Sequence, residues 1–292
     1  MSDDGNREER LIGTVSFRLA AQNEPCPVCG RHSRQFASEY PSNEAFFRDL
    51  VVLWCEQCGS GWVPDAGRIT ADYYATNYGA ITPRRKVPPA EVFAEQSLAK
   101  DKRFARAMAQ KRAMERHGAT FDTVYDFGFG LGFFLFATAA PKKLGFDIDP
   151  QTLPFAEFLS IKTAAPWEIP IASVDCLLSS HSMEHIAAEH LDRHISAFYA
   201  MLKPRSLLAV EVPHAALSWL EKPGVHRPHT IFFSAEGLQC SLARHGFTIL
   251  ERGFVEDGPT ARLSKCAVYT PQSTDAFHSS RNSSALFIIC TK

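Results

Sequence analysis

Apolar and polar positions fall into two regimes along the chain. Beyond residue 118, short apolar β-prone runs alternate with amphipathic stretches of helical length; before it, β-prone runs are broken by Cys, Gly and Pro. The pattern predicts strands over 123–128, 142–147, 161–165, 174–180, 206–212, 247–254 and 286–291. Helices are predicted over 132–140, 151–160, 186–202 and 233–245, the third ended by Lys203-Pro204 and the last capped by Ser234 and closed by Gly246. Residues 256–283, polar and rich in Ser, read as an exposed connection. Residues 90–117 hold no Gly or Pro and predict one long helix, stopped by Gly118. Alternating β and α elements with a final hairpin-like pair of strands predict an α/β fold, a doubly wound sheet whose last strand is antiparallel.

The first strand of this region runs into three glycines at every second position, Gly128, Gly130 and Gly132, ahead of the apolar run 133–140. A strand, a tight Gly loop and a helix N-terminus let a ligand approach backbone amides closely. A dinucleotide fingerprint would need its third glycine where Phe133 stands, and no Gly-Lys-Ser/Thr of a P-loop follows. The second strand ends in Asp147, about 20 residues beyond the loop, where a carboxylate can accept both hydroxyls of a ribose.

The string Asp126-x-Gly128-x-Gly130-x-Gly132, the acid Asp147, and the strand 173–180 followed by His181-Ser182-Met183-Glu184-His185-Ile186 together resemble the ordered motifs of the class I S-adenosylmethionine (SAM) dependent methyltransferases. The resemblance covers about residues 120–291. It implies a seven-stranded Rossmann-like methyltransferase sheet and SAM as cofactor, with Asp126, Gly128, Gly130, Gly132, Asp147 and Ser180 as cofactor-binding residues. One departure stands out. The family often ends its third strand in an acid that binds the adenine amino group, whereas Thr163-Ala164-Ala165-Pro166-Trp167 has none, so adenine is expected to rest on backbone groups and apolar packing such as Trp167.

Upstream, Cys26-Pro27-Val28-Cys29-Gly30 precedes Cys55-Glu56-Gln57-Cys58-Gly59, with 25 residues between Cys29 and Cys55. Two such knuckles predict four thiolates around one structural zinc, in a ribbon too small to fold on its own core. The remaining four of eight cysteines, Cys176, Cys240, Cys266 and Cys290, sit singly in apolar surroundings, as thiols of a reducing compartment do. The family parallel is the zinc-ribbon module in front of some small-molecule methyltransferases. The expected organisation is a flexible N-terminus (1–22), a zinc ribbon (23–66), a Tyr-rich segment with the long helix (67–117) and a SAM-dependent methyltransferase domain (118–292). Related proteins place a Tyr-Tyr-x-x-x-Tyr stretch as a lid over SAM, which makes Tyr74 and Tyr78 candidate cofactor contacts; the same tyrosines also fit the plainer role of joining ribbon to main domain.

With 45% apolar and 22% charged residues and a formal net charge of −1, the composition is that of a soluble globular protein and disfavours a polyanionic partner such as nucleic acid. The basic residues of the long helix, Arg106 among them, are interleaved with acids and read as a solvated face. No apolar run approaches the roughly 18 residues of a membrane helix and the polar N-terminus lacks a signal core, so a cytoplasmic location is expected. Transfer to a hydroxyl or an acidic carbon calls for a base, and four histidines, His181, His185, His214 and His229, fall in loops after the carboxyl ends of predicted strands; Glu184-His185 resembles the family's Glu-His pair, which implies a structural or substrate-side role. His181 ranks first, being nearest the neighbour of the glycine-loop strand. The leading expectation is a methyltransferase acting at oxygen or carbon of a sugar, quinone or secondary-metabolite acceptor. Alternatives are a ribosomal-RNA nucleobase methyltransferase with a zinc ribbon, disfavoured by the charge and by Ser-His-Ser-Met in place of an Asn-Pro-Pro-Tyr motif, and a SAM-binding interaction protein without catalysis. Neither the acceptor nor the oligomeric state is legible.

Overall fold

The computed structural model describes residues 9–12, 15–41, 47, 49–64, 66, 73, 87–96, 102–214, 229–256, 262–265 and 283–292. Strands β1 (Glu9–Ile12), β2 (Val15–Pro25), β3 (His32–Glu39), β4 (Val51–Cys55) and β5 (Gly61–Trp62) lead to helices α1 (Pro89–Gln96) and α2 (Lys102–Arg116). Then follow β6 (Thr123–Phe127), α3 (Phe133–Thr138), β7 (Lys142–Phe146), α4 (Leu153–Phe158), β8 (Lys162–Thr163), β9 (Val174–Ser180), α5 (Leu191–Met201) and β10 (Leu202–Pro213). The chain closes with β11 (Ile231–Phe232), α6 (Ala235–Arg244), β12 (Thr248–Glu256), β13 (Arg262–Lys265) and β14 (Ser283–Thr291). Among the described residues no helix is long and apolar enough to cross a membrane.

Seven strands form the expected doubly wound sheet in the order β8-β7-β6-β9-β10-β14-β12. The strands from β8 to β10 pair in parallel, and β14 runs antiparallel to both its neighbours. Its inner strands are buried on both faces, and side chains alternate between two cores. Tyr125, Phe127 and Leu177 join Ile195 and Phe198 of α5 and Leu238 and Leu242 of α6; Val124, Cys176 and Leu178 join Met114 of α2 and Phe133 to Leu135 of α3. Strand order reverses between β6 and β9, where open α/β sheets leave a crevice at the carboxyl ends.

Three local expectations change, and a fourth is described only in part. β13 lies inside the stretch read as an exposed connection and pairs with β12 at the sheet edge, since a ladder of backbone bonds needs no apolar pattern. The helix expected from 186 begins at Leu191, because Thr230 Oγ1 donates to the Ile186 carbonyl (2.6 Å) and diverts the chain into two short 3₁₀ turns. The helix expected over 90–117 is described as α1 and α2, with 97–101 outside the described residues. The terminus expected to be loosely held through residue 22 forms, from Glu9, the antiparallel pair β1–β2, anchored where Phe17 packs edge-on to Trp54.

These N-terminal strands build a second, antiparallel sheet in the order β1-β2-β3-β4-β5-β11. Its last strand belongs to the main domain: Ile231 pairs with Trp62 and Phe232 with Gly61. The joint continues through Ser234, whose N–H donates to Ser60 Oγ (3.0 Å) and whose hydroxyl donates to the Cys58 carbonyl while accepting the Gly237 N–H (2.9 Å) as the N-cap of α6. Ser241 donates to the Val28 carbonyl and Arg244 to that of Pro27. Ser234 therefore caps a helix and ties it to a cysteine knuckle. Ser234→Ala is expected to lower unfolding free energy by about 1 to 2 kcal/mol, seen in urea denaturation as a lower midpoint with an unchanged slope.

Candidate active site and cysteine cluster

Gly128, Gly130 and Gly132 all stand at positive φ (79°, 55° and 78°) and fold the loop over the end of β7. The Gly128 N–H donates to the Phe146 carbonyl (2.7 Å), and the Gly130 N–H donates to Asp147 Oδ2 (2.7 Å). The other carboxylate oxygen of Asp147 accepts the Asp149 N–H (2.9 Å). Asp147 is thus oriented by backbone donors at the mouth between two parallel strands. Space explains Gly128: a Cβ there would stand 1.8 Å from Ser182 Oγ, so the turn after β9 closes directly on the loop. Asp126 is buried beneath it; desolvation, with the nearby charge of Asp147, pushes its carboxyl up to about 8.

On the other side of β6, Ser180 and His181 lead into a polar network. Ser180 Oγ accepts from Gln110 Nε2 (2.9 Å), which also donates to Glu211 Oε2 (2.8 Å). Glu211 is fully buried, and its Oε1 is shared by Arg106 Nε (3.1 Å) and His181 Nε2 (3.1 Å). His181 sits in the left-handed region at φ 53°, its N–H donating to the Glu211 carbonyl (2.7 Å) and its Nδ1 turned to Glu184 Oε1 at 3.6 Å. Arg106 Nη1 lies 3.0 Å from Nε2, which can donate to Glu211 or accept from Arg106 but not both at once. Burial would lower the His181 pKa, but the carboxylates of Glu184 and Glu211 outweigh it and hold the ring up at about 9. Burial likewise works against Glu211, yet His181, Arg106 and Gln110 leave its carboxyl below its usual range.

The other expected residues are placed as follows. His214 is buried at the end of β10, and burial lowers its ring to about 4. His229 is buried beside His185, ring centres 5.0 Å apart. Tyr74 and Tyr78 lie outside the described residues, while Tyr73 is fully buried against Phe47. Trp167 is half exposed, with the Arg193 guanidinium 3.9 Å from its ring centre. Arg106, Gln110 and Glu211 are members of this network that the sequence pattern does not single out. Glu211 is detectable as a lone carboxylate inside the apolar run 207–212, and Arg106, read as solvated, faces inward at 28% side-chain exposure.

No protein-family model matches the chain and no curated protein matches it. Solved structures do. A SAM-dependent methyltransferase from Archaeoglobus fulgidus superposes with a TM-score of 0.51 over 74% of this chain and 100% of its own, at 20% identity. A SAM-dependent methyltransferase from Thermotoga maritima, described as a possible histamine N-methyltransferase, gives 0.50 over 73% and 99%, at 14% identity. The fold is that of the SAM-dependent methyltransferases.

This methyltransferase fold carries a four-cysteine cluster that fits a zinc ribbon. Cys26, Cys29, Cys55 and Cys58 are buried, with all four sulfurs within 4.8 Å of one another. Cys26 and Cys58 sulfurs stand 3.9 Å apart, as do those of Cys29 and Cys55; thiolates about 2.3 Å from a tetrahedral ion stand roughly 3.8 Å apart. Gly30 and Gly59 turn each knuckle, their N–H groups donating to the carbonyls of Cys26 (2.8 Å) and Cys55 (2.9 Å). With all four thiols buried, an ion among them would be enclosed by sulfur, the closed shell of a structural site. Cys55→Ser is expected to abolish a one-to-one zinc content in metal analysis and to lower the melting temperature by several degrees; full zinc and unchanged melting would contradict it.

Proposed function

We propose that the protein is a SAM-dependent methyltransferase that methylates oxygen or carbon of a small-molecule acceptor, of sugar, quinone or secondary-metabolite type, and that the ribbon holds a structural zinc. The observation that carries this reading is the pairing of the positive-φ loop with Asp147 across the ends of β6 and β7. Asp147 and the loop backbone would hold the ribose and the aminoacyl part of SAM, with Asp126, Gly128, Gly132 and Ser180 shaping the same floor. Ile148, next to Asp147 and 47% exposed, offers an apolar surface for adenine where the family's third-strand acid is lacking. Bound SAM supplies a methyl group already activated by its sulfonium. The chain's own task is then alignment and, for a hydroxyl or an acidic carbon, proton removal.

The geometry reorders the histidines. Both ring nitrogens of His181 face carboxylates of the protein, Glu211 and Glu184, so in this arrangement neither is turned to an acceptor. His181 serves instead as the cation that organises Glu211 and the end of β9. His214, on the adjacent strand end and neutral at pH 7, takes the role of base, with His229 next in line. Tyr74 and Tyr78 keep their proposed place over the cofactor.

Isothermal calorimetry is expected to show micromolar binding of SAM and S-adenosylhomocysteine with no response to NAD, and Gly130→Val should abolish that binding. Binding of NAD alone would overturn the reading. His214→Ala is expected to lower turnover by about 10²- to 10⁴-fold with SAM affinity unchanged. Because a neutral ring is required, its contribution is present above the lowered pKa and lost below it. The acid limb due to His214 in wild type therefore falls near pH 4 and not near 6.5.

A further inference from the structure

The turn after β9 holds a group that the proposed methyl transfer does not use. Glu184 is 1% exposed, and neither of its carboxylate oxygens has a hydrogen-bond partner. A buried carboxylate is costly unless a charge compensates it, and the His181 ring at 3.6 Å does so only in part because it is shared with Glu211. Two imidazoles converge on it: one ligand atom each from Glu184, His185 and His229 lie within 4.8 Å of one another. Glu184 Oε1 is 3.7 Å from His185 Nε2 and 3.6 Å from His181 Nδ1, beyond hydrogen-bonding distance. Donors about 2.1 Å from a shared ion stand roughly 3 to 3.5 Å apart, so the Glu184–His185 separation of 3.7 Å lies close to that of ligands to one ion.

The backbone around this cluster is fixed from both domains. Thr230 donates its N–H to the Glu184 carbonyl (2.8 Å) and its hydroxyl to that of Ile186 (2.6 Å), which locks the segment from His229 into β11 onto the turn carrying Glu184 and His185. From the ribbon, Tyr40 donates its hydroxyl to the His229 carbonyl (3.1 Å) and the Val63 N–H donates to the Thr230 carbonyl (2.8 Å). The β5–β11 pairing continues the same clamp. Two residues before Glu184, Ser182 rests against Gly128 of the loop, so the cluster borders the proposed cofactor floor.

We propose that Glu184, His185 and His229 form a second metal site, distinct from the four-cysteine cluster, that takes a divalent transition-metal ion. Two imidazoles and one carboxylate suit such an ion and leave coordination positions open. The metal site does not rest on the methyltransferase reading.

The test uses the full zinc-loaded chain and Mn²⁺, which favours oxygen and imidazole over thiolates. Loss of the free Mn²⁺ resonance signal on titration is expected to report about one Mn²⁺ per chain in wild type. Glu184→Gln and His229→Ala are each expected to weaken it at least tenfold, with zinc content and S-adenosylhomocysteine affinity retained. Should His229→Ala fail to fold, the near-isosteric Glu184→Gln decides. Wild type without Mn²⁺ uptake, or Glu184→Gln binding as wild type does, overturns the site. Because none of these readouts needs SAM, failure here is separable from failure of cofactor binding.

Discussion

The parallel register of β7, β6, β9 and β10 is the constraint on which the site depends. Phe127 pairs with Phe146 on one side and Ser179 on the other, and Ser180 pairs with Glu211. Consequently the glycine loop, Asp147, His181 and Glu211 emerge level along one edge of the sheet. Side chains alternate faces along a strand, so a one-residue slip of β10 would carry the Glu211 carboxylate to the opposite core, away from Gln110 and His181. Apolar burial on both faces prevents that slip, and the same burial makes Glu211 depend on Arg106, His181 and Gln110 for its charge.

The ribbon reads differently once its sheet is followed into the main domain. The N-terminal strands bury an aromatic cluster that includes Phe17, Phe36 and Trp54, while the four cysteines belong to the core they share with Ile231 and Leu238. Yet the cluster is not a separate bead on the chain. Ile231 and Phe232 complete its sheet, Ser234 joins Cys58 to α6, and Tyr40 holds the carbonyl of His229. The packing that seats the cysteine cluster thereby also fixes the backbone at His229.

Much of the sheet was legible because buried parallel strands announce themselves as apolar runs and Gly, Pro and Ser mark their ends. The glycine loop and its neighbour Asp147 were legible for the same reason, their placement being set by local backbone geometry. What stayed hidden depends on neighbours far apart in sequence. β13 is too short and polar to show a period, and the start of α5 is decided by Thr230, some forty residues on. Arg106 looked like one charge among many on a basic helix, and only packing against β10 turns it to Glu211. His181 looked available because sequence cannot show that Glu184 and Glu211 flank its two nitrogens.

The central claim is that the cofactor lies across the ends of β6 and β7 with its ribose on Asp147. A crystal structure of the protein with S-adenosylhomocysteine tests this most directly. The account predicts ribose hydroxyls within hydrogen-bonding distance of the Asp147 carboxylate and the aminoacyl end along residues 128–132. Ordered ligand bound elsewhere on the chain, with the Asp147 carboxylate making no contact to it, would contradict the account.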